Sequence, residues 1–264
     1  MPSPGIQRRE RVERFIPPSP TSAYRVRIAR SDEDVAAAQR LRFRVFNLEL
    51  GEGLSESEVT GRDEDPFDAV CDHLLVEYVN EQQIIGTYRL QPGDTAAANI
   101  GYYSEQEFHF EVFESIRHET IELGRACIAK EHRNMVVLGL LWKGIAQYAK
   151  LSQARYLIGC SSLTSTDPAE GQAAYRNLVR YLAAEPFITR PTQRYDCSVP
   201  RHESARVEEA KRTVQIPRLM RAYLTLGARI CGEPALDREF KTIDFLTLLD
   251  LRSLGPRAMQ KFLG

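Results

Sequence analysis

Two opposite charges, Glu122 and Arg125, stand three residues apart in the stretch "ETIELGRACIAKEHRN" at positions 119–134. The residues around them alternate as a strand, and a charge on an otherwise apolar strand is costly enough to need a reason. A carboxylate held on a rigid strand can take a proton from a nucleophile, directly or through one water; the same carboxylate paired with Arg125 would only brace the sheet. The strand runs into the polar "KEHRN" and then into an apolar helix. A helix start reached in this way aims several free backbone N–H groups at one point, which suits an anion such as a phosphate, and Lys130, His132 and Arg133 would add positive charge there. A merely solvated basic turn is the alternative.

Such a site needs a scaffold that fixes a strand end against a helix start. "YRVRIA" (24–29) alternates as a strand, and "SDEDVAAAQRLRFRVFNLEL" opens with Ser31 and three acids, the cap and first turn of a helix burying Leu41, Val45 and Leu48. Residues 51–68, "GEGLSESEVTGRDEDPFD", have no apolar periodicity, and a loop of that length within a compact domain is more often functional than not. "DHLLVEYVNEQQIIGTYRLQ" pairs two β-rich runs about a polar turn at residues 80–82. Beyond the charged strand, Leu138, Leu141, Trp142, Ile145 and Tyr148 recur at helical spacing. "RYLIGCSSL" (155–163) is a further strand, and Asp167 with Pro168 caps and starts another helix. This order predicts an α/β fold with a central mixed sheet flanked by helices. Towards the C-terminus, "RPTQRYDCSVPRHESARVEEAKR" reads as loop and "PRLMRAYLTLGARICGEP" as a helix stopped by Gly232; "KTIDFLTLLDL" (241–251) reads as a strand able to join the sheet.

The 264 residues suffice for one large core. Residues 1–22, rich in Pro, Arg and Ser, are expected to form a mobile tail, and residues 23–264 a single domain. Thirty-five basic against thirty-six acidic residues leave a net charge of -1 and no electrostatic reason to expect nucleic acid. Five cysteines without a CxxC pair point to reduced thiols in a cytosol and to no metal site. No apolar run approaches the roughly 20 residues of a membrane span, and the N-terminus lacks the apolar stretch of a signal peptide.

The ordered motifs resemble the GNAT superfamily of N-acyltransferases, which move an acyl group from coenzyme A to an amine. The superfamily's phosphate turn usually reads Gln/Arg-x-x-Gly-x-Gly/Ala; here "RNMVVL" keeps Arg133 but places Val136 and Leu138 where small residues are expected. The chain is more similar to the branch of acyl-homoserine-lactone (autoinducer) synthases and "haemolysin-like" ornithine N-acyltransferases, which take long acyl chains from acyl carrier protein. Arg42-x-x-x-Phe46 in "LRFRVF", Asp65-x-x-Asp68 in "DPFD", Arg89 in "GTYRL" and Glu122-x-x-Arg125 in "ELGRACI" follow that branch's order. "DAVCDHLLV" and the tail beginning "PRLMRAYLTLGARICGEP" look like the ornithine-lipid members, and the likeness covers about residues 24–251.

The resemblance implies roles. Glu122 would be the general base; Arg42, Phe46, Asp65, Asp68, Arg89 and Arg125 would bind substrate; Lys130, His132, Arg133 and Asn134 would hold the phosphopantetheine of the acyl donor. Acyl carrier protein and an amino acid, L-ornithine first, are the implied partners, with no resident cofactor. The bland readings stand beside these: Arg89 and Arg125 could clamp an acceptor carboxylate or simply pair with Asp65, Asp68 and Glu122. Arg42 could be a solvated helix arginine, and Phe46 plain core. His73 reads as a neutral histidine bonded to Asp72 or to backbone, and the serines of "CSSLTST" as the lining of a cleft. Another acceptor, lactone formation, or a non-catalytic lipid-binding role are the rival functions. A cytoplasmic location is expected, and the basic, apolar tip "RSLGPRAMQKFLG" could rest on anionic lipid or pack back onto the domain.

Overall fold

The computed structural model describes residues 23–255, so the N-terminal tail and the tip beyond Gly255 lie outside the described residues. An eight-stranded sheet organises the chain in the order β1-β2-β3-β4-β5-β8-β6, with β7 paired to β8. Its strands are β1 (Tyr24–Ile28), β2 (Asp72–Tyr78), β3 (Gln83–Pro92), β4 (Thr120–Ile128), β5 (Tyr156–Leu163), β6 (Arg229–Ile230), β7 (Ala235–Asp237) and β8 (Thr242–Asp250). The helices are α1 (Asp32–Phe43), α2 (Ser57–Thr60), α3 (Gly93–Ala98), α4 (Met135–Leu151), α5 (Pro168–Leu178), α6 (Ser204–Thr213) and α7 (Arg218–Leu226). Every named strand pairing is antiparallel except β4 with β5, the two strands joined by α4.

Side chains alternate across the sheet, so each face has its own helix. Helix α4 lies on the face carrying Leu74 and Val76; a Cβ at Gly144 would sit 2.7 Å from both Leu74 methyl groups, so glycine sets how closely the helix approaches. Helix α1 lies on the opposite face, that of His73 and Arg89, which it reaches through Arg42 and Asp68. Ser31 caps α1 by accepting from the Asp34 amide at 3.2 Å, Asn134 caps α4 and Asp167 caps α5.

Three sequence expectations are corrected here. Leu48 is 68% exposed, because α1 continues through Arg44–Leu50 as a π-helix and the wider turn carries it off the buried stripe. The polar stretch read as loop contains α6, whose Val207 is buried against Ala169 and Ala173 of α5. Helix α7 stops at Gly227, with φ of 110°, and not at Gly232; the residues between them enter β6. Leu254 is buried in the main core, while Arg257, Met259, Lys261, Phe262 and Leu263 of the tip fall outside the described residues.

The pairing of β4 with β5 ends at Glu122 opposite Ile158. Just beyond, a Cβ on Gly159 would lie 2.1 Å from the Leu123 carbonyl oxygen, whereas one on Gly124 would meet nothing within 4 Å. Gly159→Ala is therefore expected to destabilise the fold by about 1–3 kcal/mol, the scale of overpacking, and Gly124→Ala by less than about 0.5 kcal/mol. Urea denaturation of the pair checks this, and equal midpoints would refute the close approach.

Candidate active site

Where β4 and β5 part, a cleft opens. Thr87 pairs with Cys127 and Arg89 with Gly124, so Arg125 and Ala126 together stand opposite Tyr88, a bulge in which Arg125 takes φ of 49°. A bulge adds twist and bends its strand, which swings the end of β4 away from β5. The gap is a cavity of about 590 Å³ lined by the facing edges of both strands. Its lining is mixed: Phe46, Leu138, Leu141, Trp142, Leu219 and Leu249 contribute apolar surface, and Glu122, Tyr103, Cys160, Ser162 and Asp244 polar groups. Such a space can take a long apolar chain and a polar head at once.

Glu122 is buried at the point where the strands separate. Its carboxylate accepts the backbone N–H of Tyr103 at 2.7 Å, that of Ser104 at 2.8 Å and the Ser104 hydroxyl at 2.5 Å. A carboxylate has about four acceptor positions, so these three donors fix the group and leave a lone pair for the cavity. Burial pushes the Glu122 carboxyl above its ordinary value, against the opposing hydrogen bonds from Ser104 and Tyr103. The result is a rigid carboxylate that is a better base than a solvated one. Arg125 is not its partner, so the sheet-bracing ion pair between them does not form.

Arg125 belongs instead to a closed ring of six charges beneath the cavity. Arg42 meets Asp63 at 2.8 Å and Asp68 at 2.6 Å; Arg89 meets Asp68 at 3.2 Å and Asp65 at 2.6 Å; Arg125 meets Asp65 at 3.0 Å and Asp63 at 3.3 Å. Three positive and three negative groups cancel, which is what allows Arg42 and Asp63 to be buried at 0% exposure. Gln39 donates to Asp68, and Asp65 caps the Pro66–Ala69 turn by accepting from Phe67. The Arg125 guanidinium also lies over the rings of Tyr103 and Phe240, at 4.7 and 4.4 Å from their centroids.

The turn before α4 is occupied by its own side chains. Asn134 Oδ1 accepts from the amides of Val136 and Val137, both at 3.0 Å, so these amides are spent on the cap. The Arg133 guanidinium is paired with Glu49 and donates to the Ile128 carbonyl. His132 packs on Tyr24 and Tyr78, away from the cavity.

Among the residues singled out from sequence, Glu122, Phe46, Arg89, Arg125 and Arg133 line the cavity. Arg42, Asp65 and Asp68 lie under it in the ring, and Lys130, His132 and Asn134 are not part of its lining. Arg42 is not a solvated helix arginine: α1 buries it completely. His73 Nε2 lies 3.1 Å from the Asp68 carbonyl, and burial lowers its pKa, so it is a neutral structural group. Asp72 engages Tyr148. Ser161, Ser162 and Thr164 line the cleft. Sequence reasoning missed Asp63, Tyr103, Glu107 and Asp244; the isolated acid in the apolar run "TIDFLTLL" was the available signal for Asp244.

Burial alone would raise Asp65 and Asp68, but Arg89 and Arg125 hold the first, and Arg42 and Arg89 the second, below the ordinary carboxylate range. The folded state therefore binds fewer protons at these sites than the unfolded chain. Their stabilisation is complete above the unfolded aspartate pKa of about 4 and is lost as pH falls towards the depressed folded values. Asp63→Asn leaves Arg42 and Arg125 under-compensated and is expected to cost about 3–5 kcal/mol. Urea denaturation at pH 7 measures this cost, and a variant within about 1 kcal/mol of wild type would show that the ring does not depend on charge balance.

The geometry has counterparts among known proteins. Residues 41–143 match the acetyltransferase (GNAT) domain. The L-ornithine N(alpha)-acyltransferase of Agrobacterium fabrum (strain C58 / ATCC 33970) is 33% identical over 250 residues, covering 90% of this chain and 84% of the relative. That of Brucella abortus (strain 2308) is 33% identical over 243 residues, covering 88% and 86%. In shape the chain is similar to the AHL synthase LasI, at 14% identity and a TM-score of 0.51 over 91% of this chain and 95% of that one. It is also similar to FeeM, an N-acyl amino acid synthase from uncultured soil microbes, at 11% identity and a TM-score of 0.50 over 89% and 95%. Those two likenesses speak for the fold; the sequence identity to the first two proteins, sustained over most of both chains, speaks for kinship. The protein is thus an acyltransferase of GNAT fold, and the chain belongs to the L-ornithine N(alpha)-acyltransferase family.

Proposed function

We propose that the protein moves a long acyl chain from the phosphopantetheine thioester of an acyl carrier protein to the α-amine of L-ornithine, giving lyso-ornithine lipid. The carrying observation is a fixed, desolvated carboxylate, Glu122, at the fork of two strands whose gap is lined largely by apolar side chains. In this reading the α-amine loses a proton to Glu122, its nitrogen attacks the thioester carbonyl carbon, and collapse of the tetrahedral intermediate breaks the C–S bond. The pantetheine thiolate leaves and takes up a proton. The parted edges of β4 and β5 offer backbone N–H and C=O groups to an extended, amide-bearing pantetheine arm. The guanidiniums of Arg89 and Arg125 line the cavity and are balanced by the ring aspartates, so they would meet the acceptor carboxylate through N–H donors the ring leaves over and not through net charge.

The carrier-protein donor is supported by the turn before α4. The Val136 and Val137 amides are taken by Asn134, and Leu138 fills space at the cavity wall. A coenzyme A diphosphate would find no open cradle at these amides, while a phosphopantetheine delivered by a carrier protein does not need one. Among the described residues no helix is long and apolar enough to cross a membrane. The reading places the reaction in the cytoplasm, with the amphiphilic product passing to the bilayer through a peripheral contact.

Glu122→Gln tests the base. The amide cannot accept a proton and presents an N–H where one backbone donor now points, so turnover should fall by about 10²-fold or more while stability falls by only about 1–2 kcal/mol. Unchanged turnover at saturating substrate would remove Glu122 from the chemistry. For the donor, catalytic efficiency with the acyl carrier thioester is expected to exceed that with the same acyl group on coenzyme A, and to decline as salt rises, because carrier proteins are acidic. Equal efficiencies that ignore salt would overturn the assignment.

A further inference from the structure

Beyond Glu122, Cys160 and Asp244 line the cavity with Glu107 beside them, and the chemistry above uses none of the three. Potential ligand atoms of Glu107, Cys160 and Asp244 all lie within 4.8 Å of one another. Glu107 is 0% and Asp244 3% exposed, yet Glu107 Oε1 and Asp244 Oδ1 have no partner in hydrogen-bonding geometry. The other contacts are few: the Cys160 thiol donates to Glu107 Oε2 at 3.5 Å, the Thr242 hydroxyl to Asp244 Oδ2 at 3.2 Å, and the Ser162 hydroxyl also interacts with the Asp244 carboxyl. Among the described residues no lysine, arginine or histidine pairs with either acid, in contrast to Asp63, Asp65 and Asp68, each held by two arginines. Two neighbouring, buried carboxyls without a cation are costly to keep unless a ligand supplies the charge.

Register fixes where that charge would arrive. Glu122 pairs with Ile158, and Cys160 is the next residue of β5 on the same face, about 6.6 Å farther along at the usual strand rise. Asp244 stands opposite Ser162, one such step beyond, and Cys160, Ser162 and Asp244 line the same cavity as Glu122. A base and an anionic end are thus separated by the reach of a short aliphatic chain. We infer that this end, with Asp244 and Cys160 at its wall and Glu107 closing it, receives the terminal ammonium of a diamino-acid acceptor while the α-amine faces Glu122.

The inference rests on the proposed amino-acid acceptor and adds the residues that choose it. An ammonium group offers three donors, matching Glu107 Oε1, Asp244 Oδ1 and the Ser162 hydroxyl at the wall. Burial raises the Asp244 carboxyl to about 7 and Glu107 well above its ordinary value, as expected for acids that await a cation. Burial likewise raises the Cys160 thiol, which disfavours the thiolate that a soft metal would demand.

The test compares Asp244→Asn and Glu107→Gln with the wild-type protein. Acylation from the thioester donor is measured with L-ornithine, L-lysine and L-norvaline, the last sharing ornithine's carbon skeleton without the terminal amine. Wild type should prefer ornithine to norvaline by about 10²-fold or more in kcat/KM, and each variant should lose about 10–100-fold of that preference, mainly through KM. Because each substitution removes a buried, unpaired acid, melting temperatures at neutral pH should hold or rise; a fall in both would assign the acids to the fold and overturn the inference. If wild type acylates ornithine and the preference survives both substitutions, the inference fails and the acceptor reading stands. If wild type does not take ornithine, the acceptor reading fails; preference for another cationic amino acid would still support the pocket, and preference for neutral ones would sink it. Stoichiometric zinc bound by wild type after dialysis against chelator, and lost from the variants, would also overturn it.

Discussion

The neutral ring of Arg42, Asp63, Asp68, Arg89, Asp65 and Arg125 is the constraint on which the site depends. Six charges cannot be buried one at a time, because each is expensive until its neighbours are in place. The ring joins four pieces of chain: α1 through Arg42, the loop before β2 through its three aspartates, β3 through Arg89 and β4 through Arg125. A loop whose apolar anchors are few, Leu54 and Phe67 chief among them, is fixed largely by charge. Breaking such a circuit costs more than its formation adds, because removing one partner leaves another charge buried and uncompensated.

That arrangement shapes the cleft above it. Arg125 reaches Asp63 and Asp65 from a bulge with a backbone conformation that a non-glycine residue rarely takes, and the ring supplies the contacts that hold it there. The pairing of β4 with β5 stops at Glu122, just before that bulge, so the strained residue and the opening lie side by side on one strand. Glu122, the last paired residue, is thereby placed at the rim of the opening, where its carboxylate can be fixed by the Tyr103 and Ser104 amides and still face the cavity.

The charged strand, the capped helices and the order of elements were legible because each follows from local chemistry: an alternation, a Ser31 or Asp167 cap, a proline at a helix start. Glu122 stood out as a lone acid in an apolar run. Asp244 carries the same signal in "TIDFLTLL", but its role depends on the tertiary approach of Glu107 and Cys160, which the local pattern does not contain. Asp63 was not distinguishable within "GRDEDPFD", where four acids share one local environment and only the tertiary approach of Arg42 and Arg125 selects which turns inward. The misplacement of Leu48 had a similar origin, since a switch from α to π winding follows from packing and not from the 3.6-residue pattern. Helix α6 leaves little trace in the sequence because one buried valine, Val207, is too little to make a stripe.

The protein keeps two populations of buried acids under opposite rules. The ring aspartates are matched by arginines and stay ionised; Glu107 and Asp244 are unmatched, and burial raises their pKa. For an acceptor with two amines this contrast would decide which nitrogen reacts. A terminal ammonium drawn between Glu107 and Asp244 is stabilised in its charged form, and a charged ammonium has no lone pair to attack a thioester. The α-amine meets a different environment: Glu122, already satisfied by three donors, needs only to take its proton. Selectivity for the α-nitrogen then follows without a steric gate, because one end of the cavity protects the proton that the other end removes.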